Sequence, residues 1–528
     1  MQDDLLSTWK DLLHRVGTFG EPPGAVADLG FIAAIAGSLA LAAGVGDRKK
    51  AQDLITVIDR VLSAAEADIQ AYWGAEGSSE SSVSATPGAV LLAISDLKAI
   101  IDGVRASNKT DLETSRIVLE AVQRANLRII QDNVAAHQTH LTKPESRGGC
   151  WLPAAAAGQE PLLSVQSARG PWLVTPSGDE WFDASSGMWN VPLGHGHSGP
   201  LLGFLQQASA VAAIDPFQVS TDISQQVAGL LADLCGMPEA FVTFASSGSE
   251  AVETALRLGL AATSPNNGGI WSFPGGYHGS TAGAASLSDF DSVWPPYRER
   301  QRLAKQALPN EWSANSVGII EPVSGVNGCR PVSADTVSHL SEFQKRGGVL
   351  IADEIACGLG RASWPLVSQD VGLEPDIVLF AKGLGNGVAP ISAIVCSPRV
   401  YELALRQGPI EDGHTHSNHP AALGAALGTL GSLRQIDFHD QEDRLDRAWK
   451  SAGLSPSGFG HFRAFSGPAR DKVSVRSVLT EEKLMVHLPT SISACSSLIV
   501  APPLNMSFEE MTELSERTRR VVSRLGWI

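Results

Sequence analysis

An acid and an amine close two apolar runs near the middle of the chain. Val349-Leu350-Ile351-Ala352 leads into Asp353-Glu354, and Ile377-Val378-Leu379-Phe380-Ala381 leads into Lys382-Gly383. The two charged residues stand 29 positions apart (382 − 353). A lysine amine can form a Schiff base with an aldehyde. A carboxylate can keep a pyridinium nitrogen protonated. Those are the two things pyridoxal phosphate asks of a protein when it serves as an electron sink beside an imine. The pair alone is a weak signal, because many α/β proteins have strands that end in Asp or Lys.

The elements around the pair must deliver both groups to one place. Short apolar runs bounded by glycine and charge read as buried parallel strands, and in open α/β sheets chemistry gathers at their carboxyl ends. Further runs of this kind are Phe241 to Ala245, Trp271 to Phe273, Val317 to Ile320 (which leads into Glu321-Pro322) and Ile391 to Val395. Strand and helix signals alternate, which predicts a mostly parallel, doubly wound sheet.

The first of these strands leads into Ser246-Ser247-Gly248-Ser249-Glu250 and a helical pattern from Val252 to Ala262. Free N–H groups at such a helix start suit a phosphate, while Ser247 or Ser249 would serve equally as a plain helix cap. Gly276-Tyr277-His278-Gly279 offers an aromatic and an imidazole on a turn, fit either to stack on a flat ring or to brace the fold. Gly170 to Val174 and Glu180 to Asp183 flank a Pro-Ser-Gly-Asp turn and predict a hairpin. Gly194-His195-Gly196-His197 reads as a glycine-rich turn entering a helix, without a third metal ligand nearby. His414, His416 and His419 lack the acidic partners expected of a metal site, so no metal is expected.

Residues 1–145 predict an all-helical extension. Leu54, Ile58, Val61, Leu62 and Ile69 fall at helical spacing, a Gly/Ser/Glu linker spans 74–82, and Thr110-Asp111-Leu112-Glu113 has the form of a capping box. No catalytic constellation stands out there. A packing or dimerisation role is expected, with docking of a substrate or partner as the alternative.

Composition excludes some classes. With 40 Lys plus Arg against 56 Asp plus Glu, the net charge of −16 suits neither nucleic acid nor an anionic membrane surface. The six cysteines show no ligand-like spacing and read as free thiols of a reducing compartment. The start, Met1-Gln2-Asp3-Asp4, lacks the basic character of a signal peptide, and the apolar run from Phe31 to Val45 is shorter than a membrane span. A soluble, cytoplasmic protein is expected.

Gly194-His195-Gly196-His197, Ser247-Gly248-Ser249-Glu250-Ala251, Gly276-Tyr277-His278-Gly279, Glu321-Pro322, Asp353-Glu354, Ala381-Lys382-Gly383 and Thr415 before His419-Pro420 occur in that order. Over residues 150 to 435 this set resembles the class III, or omega-type, aminotransferases of pyridoxal-phosphate fold type I. The resemblance implies a large doubly wound domain over 201–429 and a small α+β domain from 150–200 and 430–528, with 1–145 as an extension. It implies that Lys382 carries the cofactor and shuttles the proton, that Asp353 pairs with the pyridinium nitrogen, and that Tyr277 stacks on the ring. Ser247, Gly248 and Ser249 would cradle the phosphate, with His278 and Glu321 beside the cofactor. Thr415 would reach the phosphate of a neighbouring subunit, which implies a homodimer. Trp189 falls where the family places an aromatic wall of the substrate pocket.

Two departures bear on the substrate. Ala356 stands where many members have Gln, and no Arg occurs in Met485 to Pro489 or Ser497 to Leu504, where relatives grip a substrate carboxylate. The expected activity is therefore transfer of an amino group from an amine or amino-acid donor to an aldehyde or ketone, either a specialised metabolite or a carbonyl on a peptide or carrier held by the N-terminal residues. The alternatives are an aminomutase or racemase on the same cofactor, and a scaffold without catalysis.

Overall fold

The most apolar runs become the inner strands of a sheet covered on both faces. A computed structural model describes residues 162–264, 268–289, 303–325, 328–410, 412–489 and 494–528. The helical segments expected before residue 146 lie outside the described residues.

The first described elements are short antiparallel strands, β1 (Ser167–Arg169), β2 (Trp172–Val174) and β3 (Glu180–Asp183). The turn Ser186–Trp189 and helices α1 (Ser198–Ala210) and α2 (Asp222–Leu234) follow. Next come β4 (Phe241–Ala245), α3 (Gly248–Thr263), β5 (Ile270–Ser272), α4 (Ala282–Leu287), β6 (Ala304–Gln306) and β7 (Val317–Ile320). A two-stranded ribbon, β8 (Val323–Ser324) with β9 (Arg330–Pro331), precedes α5 (Ala334–Lys345), β10 (Val349–Asp353), α6 (Val367–Val371), β11 (Ile377–Phe380) and β12 (Ser392–Cys396). Helices α7 (Pro398–Leu405), α8 (Pro420–Leu433) and α9 (Phe438–Ser451) lead to β13 (Ser457–Phe459), β14 (Phe462–Asp471), α10 (Lys472–Glu481), β15 (Leu484–Met485), β16 (Ala494–Val500) and α11 (Phe508–Arg524).

The main sheet has the order β4-β12-β11-β10-β7-β5-β6. Its described pairs are parallel except those of β12, which runs antiparallel to both β11 and β4. Alternation along β11 shows why its run reads as continuous. Ile377 and Leu379 face a cluster with Val252, Ala255 and Leu256 of α3, while Val378 and Phe380 face one with Val227 and Leu231 of α2 and Leu423 of α8. A strand buried on both sides has no polar face to alternate with.

A second core joins the hairpin to the C-terminal part. β15 pairs in parallel with β3, and Phe182 and Leu484 share a cluster with Trp449 of α9, Leu498 of β16 and Leu514 of α11. Helix α11 opens on a capping box, in which Ser507 accepts from the Glu510 N–H while the Glu510 side chain accepts from the Ser507 N–H. Helix α1 runs across residue 200, where the division of domains was expected, and lies against α8. Among the described residues no helix is long and apolar enough to cross a membrane.

Candidate active site

Register and strand direction bring the acid and the amine to one edge of the sheet. β10 and β11 run parallel with Asp353 opposite Leu379, so Asp353 and Lys382 leave the same end of neighbouring strands. The start of α3 after β4, Glu321 after β7, and Tyr277 and His278 after β5 arrive at that edge too. A cavity of about 580 Å³ opens there, lined by Ser247, Tyr277, His278, Glu321, Asp353 and Lys382 among others. Its size suits a small-molecule site.

The floor is a network of buried groups. Asp353 is 3% exposed; its Oδ2 lies 2.7 Å from His278 Nδ1, and its Oδ1 accepts from the Ile355 N–H at 3.2 Å. His278 is buried as well, and its Nε2 has no hydrogen-bond partner among the described residues. The His278 backbone N–H is tied to Ser288 Oγ at 2.9 Å, which anchors the turn that carries the ring. Glu321 Oε2 accepts from the Tyr277 N–H at 3.0 Å. Burial pushes the Glu321 carboxyl up to about 7; His278 opposes the shift and Asp353 adds to it. Lys382, at φ +36°, starts a tight turn at the end of β11. Burial holds its amine below the ordinary lysine range, against the pull of Asp353 and Glu321.

One side of the cavity is the start of α3. Ser247 is the cap: its Oγ accepts from the Glu250 N–H at 3.3 Å, and the Glu250 side chain accepts from the Ser246 N–H at 3.0 Å. The N–H groups of Gly248 and Ser249, on the first turn, have no acceptor within the helix and lie at the positive end of its dipole. Gly279, at φ +132°, passes so close that a Cβ there would meet Ser249 Oγ at 2.4 Å. The Ser249 hydroxyl accepts from the Ser280 N–H at 3.1 Å.

Of another wall of the cavity only Trp189 was expected, through the resemblance; its backbone and its neighbours were not. Ser186, Gly187, Met188 and Trp189 all have φ between +47° and +69°, one turn of left-handed helix closed by Trp189 N–H to Ser185 O at 2.7 Å. Three of the four are not glycine, so the turn costs about 3–6 kcal/mol and must be held from outside. It presents Trp189, 8% exposed, with Lys382 Nζ 4.6 Å from the ring centroid. Phe462 and His487 each stand edge-on to the same indole at 5.0 Å. Burial lowers the His487 imidazole to about 4, with Lys382 adding to the shift. His487, Met188 and Asn190 also line the cavity.

The remaining expected residues are placed as follows. Tyr277 lines the cavity and is 40% exposed. Thr415 is exposed and lies outside the lining of its own chain's cavity, while its neighbour His414 faces the Glu250 carboxylate at 3.6 Å. His195 meets Asp183, and His197 and His419 cap α1 and α8. Ala356, in place of the expected Gln, lines the cavity.

Residues 154–457 match the family described as aminotransferase class-III. The chain belongs to the class-III aminotransferases. It is 26% identical over 415 residues to an omega-aminotransferase of Caulobacter vibrioides, covering 68% of this chain and 93% of that one. It is 30% identical over 288 residues to an acetylornithine aminotransferase of Halalkalibacterium halodurans, covering 52% and 72%. A PLP-bound amine transaminase from an uncultivated Pseudomonas species superposes with a TM-score of 0.61 at 22% identity, over 72% of this chain and 99% of that one. An omega transaminase of Pseudomonas jessenii in complex with PMP has a TM-score of 0.61 at 20% identity, over 73% and 96%.

The architecture is therefore that of a fold-type-I enzyme, and the cofactor of the family is pyridoxal 5′-phosphate. The residues present fit it. The cavity offers an amine of lowered proton affinity, a buried carboxylate, the N–H groups of a helix start, and an imidazole nitrogen without a hydrogen-bond partner among the described residues.

Proposed function

We propose that this class-III aminotransferase moves an amino group from an amine or amino-acid donor to an aldehyde or ketone acceptor, with Lys382 and Asp353 as its catalytic residues. One observation carries the assignment: the two residues close adjacent parallel strands and open into the same cavity, opposite the start of α3. Bound there, pyridoxal phosphate supplies an electron sink for the substrate's reacting carbon.

The chain's own groups then have distinct tasks. Lys382 would hold the cofactor and would take and return a proton at Nζ. Burial lowers the proton affinity of its amine, which favours its acting as a base. Asp353, fixed through His278, would keep the cofactor's ring nitrogen protonated. Tyr277 would lie against the ring. The Gly248 and Ser249 N–H groups and the Ser247 hydroxyl would hold the phosphate. Glu321, whose carboxyl burial pushes up to about 7, would stand beside the cofactor. Trp189 and His487 shut water out beside the amine. Thr415, exposed on its own chain, completes the phosphate site of a partner subunit in a homodimer.

Docking of a peptide- or carrier-bound carbonyl is assigned to residues 1–145, which precede the part of the chain that matches the family. The chain is assigned to the cytoplasm, in keeping with the buried free thiols at Cys235, Cys329, Cys357 and Cys396.

The test is a spectrum. Wild type should show a cofactor band at roughly 410–430 nm that an effective amine donor bleaches and a carbonyl acceptor restores. Lys382→Ala should lose the band and at least about 10³-fold of the turnover. A wild-type band that no donor bleaches would instead favour an aminomutase or racemase.

A further inference from the structure

Asp183 ends β3 and is 2% exposed. Among the described residues its carboxylate's hydrogen bonds go to the segment that follows it, and the buried Arg361 guanidinium acts on it as a nearby positive charge. Oδ1 accepts from the Ser185 N–H at 3.0 Å and from the Ser185 hydroxyl at 2.7 Å, and Oδ2 accepts from the Gly187 N–H at 2.7 Å. His195 Nε2 stands 3.0 Å from the same Oδ2. These contacts bracket the left-handed turn Ser186–Trp189 on both sides.

A second clamp joins that segment to the lysine. Asn386, four residues beyond Lys382, accepts from the Leu193 N–H at 2.8 Å and donates to Gly194 O at 3.2 Å. The turn that carries Trp189 and the turn that carries Lys382 are thereby held as one body.

We propose that Asp183, braced by His195, is a positioning residue for the reaction: it locks the left-handed turn and so keeps the Trp189 ring over the Lys382 amine. The proposal rests on Lys382 as the reactive amine. A left-handed run of Ser, Met and Trp has no local reason to persist, and such strain is kept where the surroundings over-determine it. Here the hydrogen bonds from side chains to the turn's own backbone come from one buried carboxylate, with the Asn386 clamp just beyond the turn and Phe462 and His487 packed on its indole. Without that carboxylate the turn relaxes toward ordinary backbone, the indole leaves, and water reaches Nζ.

The charged and titratable groups that face the amine are Asp353 at the end of β10, Glu321 beyond β7, Cys357 after β10, and His487 beyond β15. None of these is on the turn. Loss of the turn therefore leaves their charges in place and removes the shielding from solvent, the largest influence on the amine, together with the opposing pull of the indole face on the ammonium. The expected sign is a rise in the proton affinity of Lys382, since burial is what lowers it.

The probe is pyridoxal without its phosphate, reacted with the cofactor-stripped full chain, trapped with borohydride and mapped by peptide mass. The rate of Lys382 labelling is followed against pH. Asp183→Ala and Trp189→Ala should each raise the midpoint by about one pH unit, and the double variant should add nothing to Trp189→Ala. His195→Gln, which keeps a side-chain N–H for Asp183, should stay near wild type, and His195→Ala should move toward Asp183→Ala. Should Asp183→Ala fail to fold, the two His195 variants carry the test. An unchanged midpoint in folded variants that melt earlier would overturn the proposal and leave Asp183 a purely structural role, as would additive shifts in the double variant. Wild-type label on a lysine other than Lys382 would overturn both this inference and the assignment of Lys382.

Discussion

The floor and the wall of the cavity are made differently. The floor consists of strand ends. Asp353 ends a strand buried on both faces, and Glu321 and Lys382 follow two others; the Asp353 carboxylate meets His278, and the Glu321 carboxylate accepts from the N–H of the adjacent Tyr277. The wall consists of a strained turn, Ser186–Trp189, in a segment held by hydrogen bonds to Asp183 and Asn386, and of the distant His487, whose backbone is bonded to Ile499. The sheet fixes the groups that handle protons and charge. The loops fix what lies against them. That division suits a family in which one chemistry serves many substrates.

Substitutions on the floor should therefore damage the reaction itself. Asp353→Asn keeps the shape and removes the charge, so kcat should fall by about 10²–10³-fold while cofactor still binds. Steady-state rates with a saturating donor decide it, and a loss of only a few-fold would break the contrast between floor and wall.

Glu321 tests the floor through pH. Its carboxyl stands near 7 in the fold and at 4.5 without the fold's influence, so the folded chain keeps a proton that the unfolded chain releases between those values. The folded pKa is the raised one, hence its contribution to stability is complete below about 4.5 and is lost as pH rises through 7. Glu321→Gln should remove that decline, worth about 3 kcal/mol between the two limits, in denaturant titrations of cofactor-free protein. Identical slopes in both proteins would show that the group is ionised throughout.

The wall should respond in selectivity. His487→Ala enlarges the cavity beside Trp189 without touching the floor. The ratio of kcat/KM between a bulky and a small amine donor should shift by about 10-fold toward the bulky one. A uniform loss for both donors would mean that His487 belongs with the proton-handling groups.

The smallest effect is expected at the cap of α3. Ser247→Ala removes the acceptor for the Glu250 N–H and should lower stability by about 1 kcal/mol in thermal melts, with cofactor affinity falling alongside. Lower stability with unchanged affinity would confine Ser247 to capping.

The same contrast explains what was legible beforehand. A doubly buried parallel strand is a continuous apolar run, so β7, β10 and β11 announce themselves, and the residue that ends each run is the one delivered to the site. The small-residue turn before α3 and the Ser507 capping box are equally local signals. Trp189 was named in advance only through resemblance, because Ser186-Gly187-Met188-Trp189 has a single glycine and no pattern that demands left-handed backbone. Asp183 and His195 were each read for something else, a hairpin and a glycine-rich turn, and their pairing across 12 residues (195 − 183) appears only in the fold. His487 enters the cavity from 105 residues beyond Lys382 (487 − 382), a placement set by the β14–β16 pairing and not by nearby sequence.

The central claim is that Lys382 is the amine that holds the cofactor. The direct measurement is borohydride reduction of the wild-type chain loaded with pyridoxal phosphate, followed by peptide mapping. The adduct should fall on the peptide that contains Lys382 and vanish in Lys382→Ala. Label on another lysine, or cofactor that washes away after reduction, would contradict the assignment.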